Sequence, residues 1–267
     1  MVLGKLSPVQ YVIMVVVETA VAMVNEYIVL YLYGAVDDGG TITIHLFGAY
    51  FGLALARTIH RKEWSTEMFN ELKYGTHYND LFALVGTLFL FTFWPSFNAA
   101  QVVGDARYRA IFNTYLALSS SVMGGFITCW VVKKGKFSMD IVQNATLSGG
   151  VIVGSICGLY LYPWGAIVCG LMAGVISALG YNYVTVKISF QFVENVEKVL
   201  HRFLLITSKK HFSQPFLDTK WGIHDTCGVH NLHALPALFG TFISAIVVAV
   251  ATPDVYGSRY EFSKHPF

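Results

Sequence analysis

The stretches TITIHLFGAYFGLALA at residues 41–56 and DTCGVHNLHALPALFGTFISAIVVAV at residues 225–250 each place histidine near the start of a long apolar run. The first contains His45, and the second contains His230 and His233. A polar ring in the hydrocarbon of a membrane costs several kcal/mol unless a partner satisfies it. Ionisable residues within membrane spans therefore indicate a conduction pathway or a proton relay.

The composition is that of a membrane protein. Of 267 residues, 55% are hydrophobic and only 13% are charged, and the mean hydropathy is +0.54. A soluble domain carries about a quarter charged residues. The charges are confined to short stretches, so the sequence predicts an all-α, polytopic transmembrane helix bundle. The net charge of +2 and the lack of a basic tract give no sign of nucleic-acid binding.

Hydropathy predicts seven spans, and the distribution of Lys and Arg predicts their orientation. Fourteen of the 18 basic residues fall in connections that alternate along the chain with those holding the other four. Because cytoplasmic connections carry the excess of Lys and Arg, the connections near 33–41 and 101–109 should face outward. Residues 187–220 should be cytoplasmic and less ordered, with an amphipathic interfacial stretch at 190–206. The predicted spans are about 9–33, 41–57, 79–100, 110–132, 139–158, 160–185 and 228–251.

Two carboxylates are predicted at the outer side. Glu26 lies near the outer end of the first span, and Asp37 lies eight residues before His45. Together they could concentrate a small cation at an entrance. Each also has a structural alternative, because Asp37 stands in a DDGG turn and could cap the helix beginning near Thr41, and Glu26 could cap or snorkel.

The histidines and one phenylalanine are the candidate pore residues. If His45 and His230 meet, their ring nitrogens can share a proton and offer polar contacts without a fixed charge. The alternatives are hydrogen-bonded core histidines or haem ligands. In FLFTFWPSFNAAQ, Pro95 is predicted to break the helix, so that Phe97 could turn inward as a hydrophobic gate or stay in an interfacial aromatic belt.

Five motifs in these regions resemble the Rh glycoproteins of the ammonium transporter/Rh superfamily. They occur in family order and are TIHLFGAYFGLALAR (43–57), DLFALVGTLFLFTFWPSFNAA (80–100), RAIFNTYLALSSSV (109–122), QNATLSGGVIVGS (143–155) and IHDTCGVHNLH (223–233). The resemblance implies an inverted-repeat bundle in a membrane, expected to be the plasma membrane, that forms homotrimers. It further implies an ammonia or ammonium channel, with methylammonium as an analogue, that is not an enzyme and needs no cofactor or metal.

The resemblance also implies residue roles. His45 and His230 match the two pore histidines, and Phe97 matches one of two stacked phenylalanines at the outer entrance. Asp37 and Glu26 match acids of the recruitment end, and His233 matches a second histidine of the HNLH motif, expected to be structural.

The chain also departs from the family pattern. Members have about twelve spans, so the first four and the last are expected to be absent here, as in a fragment or an incomplete gene product. The family's HGxPG pattern here has alanine at both glycine positions, Ala234 and Ala237, which could overpack a close helix crossing. Residues 187–213 look inserted. These departures keep open a non-conducting membrane scaffold or an inactive fragment as the alternative function.

Overall fold

The computed structural model describes residues 1–59, 76–184 and 225–251. Within these ranges the chain is helical and contains no strand, which confirms the all-α prediction. The predicted cytoplasmic connection 187–220 lies outside the described residues. The described residues contain seven α-helices: α1 (Pro8–Glu26), α2 (Phe47–Thr58), α3 (His77–Asn98), α4 (Asp105–Val132), α5 (Met139–Val153), α6 (Pro163–Leu179) and α7 (Leu235–Ala249).

Four short π-helical segments extend these helices. Tyr27–Leu32 continues α1 and Gly180–Val184 continues α6. Thr41–Leu46 leads into α2, and His230–Ala234 leads into α7. Single π-helical turns of this kind occur frequently at functional sites.

The protein is a multi-pass membrane protein. Five helical stretches among the described residues are long and apolar enough to cross a bilayer, and they cover Pro8–Leu32, His77–Asn98, Asp105–Val132, Pro163–Val184 and His230–Ala249. The helix starts follow local chemistry. Ser7 and Gln10 form a reciprocal capping box at the start of α1, and proline occupies an early position of α1, α6 and α7.

Helices α4, α5 and α6 pack together as the centre of the bundle, with α3 and α7 against α5. The small residues of α6 allow the closest approach. A Cβ on Gly170 would collide with the carbonyl oxygen of Ala117, and one on Gly174 with that of Ser121. This is the small-residue packing that brings membrane helices into backbone contact.

Thr41 ties the end of α5 to the segment that carries His45. Its hydroxyl donates to the Val151 carbonyl at 2.7 Å and accepts the Ser155 N–H at 2.8 Å. All three residues are buried. The side chain of Thr41 therefore satisfies backbone groups that a helix ending inside a bilayer would otherwise leave without partners.

Candidate functional site

The two histidine-bearing segments begin in the same way. Gly40 (φ 69°) precedes Thr41–Leu46, and Gly228 (φ 66°) precedes the turn into His230–Ala234. An aspartate three residues before each glycine caps the segment. The Asp37 carboxylate accepts the Ile42 N–H at 3.0 Å, and the Asp225 carboxylate accepts the His230 N–H at 2.8 Å. In both cases the donor lies five residues after the aspartate.

This shared construction defines which histidines correspond. Counting from the aspartate, glycine stands at the third position and histidine at the eighth in both segments, as Asp37, Gly40 and His45, and as Asp225, Gly228 and His233. His233, and not His230, is therefore the counterpart of His45. This repeated spacing is readable in the sequence and is the signal that the sequence analysis missed.

The geometry agrees with that correspondence. The His45 and His233 rings stack with centroids 5.0 Å apart and planes 15° apart. The ring contacts of His45 among the described residues are with Trp94, Phe97 and His233, so the structure stacks His45 on His233, whereas the sequence predicts His230 as its partner. His45 Nε2 and His233 Nδ1 are buried and have no hydrogen-bond partner in the described part of the chain.

Two aromatic rings complete the group around His45. Trp94 stacks on it with centroids 5.5 Å apart and planes 23° apart, and Phe97 is tilted against it at 5.9 Å. The Trp94 side chain is buried, and its Nε1 has no hydrogen-bond partner among the described residues. Trp94 carries no signal in the sequence that would separate it from an interfacial aromatic residue. The structure makes it a member of the site.

Phe97 reaches His45 although the helix does not break before it. The sequence predicts a helix break at Pro95, but α3 continues through Pro95 to Asn98. The Pro95 carbonyl accepts the Ala99 N–H at 3.1 Å, so the backbone stays helical past the proline. Phe97 thus points at His45 because of its position on the α3 surface. Its side chain is 44% exposed, so one side of the ring stays open.

Asp37 adopts the capping role that the sequence left open. Besides the Ile42 N–H, its carboxylate accepts the N–H and the hydroxyl of Thr43, both at 2.8 Å. Burial raises the pKa of this carboxyl, and the hydrogen bonds from Thr43 and Ile42 partly oppose that rise. At 4% exposure, it is covered by protein and not open to an entrance. Glu26 is half-buried at the end of α1.

Ala234 and Ala237 are both fully buried. Ala237 packs in a cluster with Trp94 and Leu232, directly beside the stacked rings. The two methyl groups are thus part of the core that supports the site.

Chemically, the site is a row of parallel ring faces with unpartnered ring nitrogens in apolar surroundings. Such a surface suits a small neutral molecule that can both donate and accept hydrogen bonds. A permanent charge would be costly here, because apolar side chains cannot replace its hydration.

Comparison with known proteins shows which family this is. The model of the Ammonium Transporter Family matches residues 1–265. Ammonium transporter Rh type B-B of Xenopus laevis is 42% identical over 96% of this chain and 49% of its own length. Ammonium transporter Rh type C of Rattus norvegicus is 41% identical over 96% of this chain and 46% of its own. The chain spans about half the length of these curated relatives.

Solved structures show the same fold. That of Nitrosomonas europaea Rh50, a Rhesus-family channel, superposes with a TM-score of 0.72 at 31% identity, covering 96% of this chain and 59% of its own. The structure of a sensor Amt protein matches with a TM-score of 0.56 at 20% identity over 79% of this chain, which supports the fold alone. The chain belongs to the ammonium transporter family.

Proposed function

We propose that this member of the ammonium transporter family supplies the histidine-lined part of a path that carries ammonia across a membrane. The stacked pair of His45 and His233, with buried and unpartnered ring nitrogens, is the observation that supports the proposal. Ammonia is small and neutral, and it both donates and accepts hydrogen bonds. Its passage would satisfy these nitrogens in turn without bringing a charge into hydrocarbon.

The entrance lies at the Phe97 end of the site. Glu26 attracts ammonium to this side, and the partly exposed Phe97 ring covers His45 as a gate. At the entrance ammonium transfers its proton to bulk water, and only neutral ammonia reaches the histidines, because apolar surroundings cannot replace the hydration of a charge. Asp37 contributes indirectly by fixing the start of the segment that carries His45.

His230 does not take the pore position in this proposal, although the resemblance to the Rh glycoproteins implies that role for it. Its backbone N–H is fixed by Asp225, and its ring lies one helical turn before that of His233. In this proposal His230 flanks the path and orders the segment, while His233 takes the pore position opposite His45.

We propose that the complete assembly has the organisation implied by the resemblance to the Rh glycoproteins. It would be a homotrimer in the plasma membrane, with ammonia, ammonium and the analogue methylammonium as substrates. Since the chain spans about half of its relatives, further segments or further copies would complete the wall of the path.

The two alternative functions are a haem protein and a non-conducting membrane scaffold. A haem held between His45 and His233 is disfavoured, because stacked rings present their faces, and not their nitrogen lone pairs, to the space between them. A non-conducting scaffold is favoured by one observation, the burial of Ala234 and Ala237 in the core beside the site. In a scaffold the histidines would only pack helices together.

Flux of methylammonium into liposomes tests the proposal. The measurement uses the chain extended at its N-terminus by the matching segment of a curated relative. We expect His45→Ala and His233→Ala each to remove most of the flux, and His230→Ala to retain it, because only the first two rings form the stacked pair. No flux from the parent above that of empty liposomes would establish the scaffold instead, and equal flux in the parent and all three variants would show that the histidines do not form the path. Loss with His230→Ala alone would return the pore role to that residue.

A further inference from the structure

Ala237 places a methyl group beside the stacked histidines. It follows His233 by four residues, so the two side chains lie on the same face of their helix, about one turn apart. Ala237 is fully buried and packs in the cluster that contains Trp94. The Trp94 ring in turn stacks on both histidines, with centroid distances of 5.5 Å to His45 and 6.4 Å to His233. The Ala237 methyl group therefore borders the space that these three rings define.

The Trp94 indole has no room to move away from this methyl group. A Cβ on Gly150 of α5 would collide with the indole, so the ring lies directly against the α5 backbone. Its face is occupied by His45, with which it stacks. Side chains packed at this density do not absorb an added methyl group without strain.

Helix α7 is held equally close on its own side. Three residues after Ala237, a Cβ on Gly240 would collide with the carbonyl oxygen of Ile152 in α5. Pro236, the residue before Ala237, is also fully buried. The backbone that carries Ala237 is thus fixed against α5, and the methyl group occupies a fixed volume next to the histidines.

The polar groups of the site do not distinguish ammonia from methylamine. Both are neutral amines that donate through N–H groups and accept through one lone pair, so the unpartnered nitrogens of His45 and His233 suit either one. The two amines differ by one methyl group. Any discrimination between them must therefore come from the space that the apolar side chains leave.

We propose that Ala237 determines which amines pass the histidines, and that it favours ammonia over methylamine. This inference rests on the proposed ammonia path. The Ala237 methyl group fills a volume of the size that the methyl group of methylamine needs, so methylamine passes more slowly. One methyl group in a packed site changes discrimination by about 10–200-fold. The HGxPG pattern of the Rh glycoproteins has glycine at this position, so the proposal concerns a departure of this chain from that pattern.

Stopped-flow fluorescence of liposomes with an internal pH dye tests the proposal, because each neutral amine that enters raises the internal pH. The protein is the chain extended by the matching segment of a curated relative, and the rate in empty liposomes is subtracted. Ammonia and methylamine are measured on the same preparation. We expect Ala237→Gly to raise the ratio of methylamine flux to ammonia flux about tenfold, because it opens space for the substrate's methyl group.

Ala234→Gly is the matched control. Ala234 is also fully buried and belongs to the segment that carries His233. It follows His233 directly, however, and adjacent residues of a helix do not share a face. Its flux ratio should stay within about twofold of the parent's, well below the tenfold change expected at Ala237. An equal rise in the two variants would show a general loosening of the helix and overturn the assignment to Ala237.

Ala237→Ser decides the outcome if Ala237→Gly does not fold. The added oxygen enlarges the side chain, and its hydroxyl can donate to the carbonyl four residues earlier, as that of Thr241 does to Ala237 at 2.8 Å. The ratio of methylamine flux to ammonia flux should fall several-fold. An unchanged ratio in a variant that still carries ammonia overturns this inference alone. Absence of ammonia flux from the parent overturns it together with the proposed function.

Discussion

At the scale of single residues, Asp37 shows how much one side chain contributes to the site. It holds three donors of the segment that carries His45, and it is buried. A carboxylate in this position stabilises the protein by satisfying backbone groups that water cannot reach. In the proposed ammonia path its role is therefore one of position.

Replacing Asp37 with alanine should lower the free energy of unfolding by about 2–3 kcal/mol, because a helix cap is lost and buried N–H groups lose their acceptor. Reversible unfolding in SDS, followed by circular dichroism, measures this loss. The control is Asp105→Ala, an exposed acid in the first turn of α4, which should change stability by less than about 0.5 kcal/mol. Equal effects at the two positions would contradict the capping role.

The Phe97 ring contacts His45, and we propose that it covers the imidazole on the outer side. Phe97→Ala should increase the rate at which diethyl pyrocarbonate modifies His45 several-fold, because the ring that covers the imidazole is removed. Peptide mass spectrometry after limited modification gives the rate at this residue. Phe93→Ala is the control, since Phe93 lies one turn earlier on α3 and contacts Phe89. If diethyl pyrocarbonate modifies His45 at the same rate in both variants, the Phe97 ring does not cover the His45 imidazole.

At the scale of elements, the site depends on two segments with the same construction. Each has a capping aspartate, a left-handed glycine and a π-helical turn, and each presents its histidine to the other. The wider π-helical turn changes the direction of the side chains relative to a regular α-helix. This change contributes to the face-to-face approach of His45 and His233.

The crossing of α4 and α6 depends on small residues that let the two backbones meet. Gly174→Ala should destabilise the protein by about 1–3 kcal/mol, because its Cβ would meet the carbonyl oxygen of Ser121. SDS unfolding again provides the measurement. The matched substitution is Gly86→Ala in the middle of α3, where a Cβ meets nothing within 4 Å and the gain in helix propensity is up to about 1 kcal/mol. A stable Gly174→Ala variant would show that this crossing tolerates separation.

At the scale of the whole molecule, α1 is the least enclosed helix. None of its residues is buried, and among the described residues its main contacts with other helices are with α2 and the segment before α2. Its exposed valines and methionine suit contact with lipid or with further helices. Helices α4 and α6 are about half buried, whereas no part of α1 is buried.

We therefore expect the chain by itself to support no methylammonium flux in liposomes, and the version extended by the matching segment of a curated relative to support it. The reason is that a water-free path needs walls on all sides of His45. A calibrated uptake assay with equal amounts of inserted protein makes the comparison. Flux from the chain alone that disappears with His45→Ala would show that its own helices enclose the path.

Sequence alone determined the class of the protein and much of the site's membership. Long apolar runs with few charges predict membrane helices, and five helical stretches of the described residues are long and apolar enough to cross a bilayer. The cost of a histidine in such a run marked His45 and the HNLH histidines. The motif at residues 80–100 indicated Phe97, and the same motif contains Trp94.

Only the tertiary structure decided which of these residues meet. Helical periodicity fixes the face on which a side chain lies, but the neighbour across a helix crossing depends on the register of two segments far apart in sequence. That register selected His233 over His230 as the partner of His45, and it buried Asp37 as a cap. It rests on contacts such as Thr41 with Val151, which join residues 110 positions apart and have no local signature.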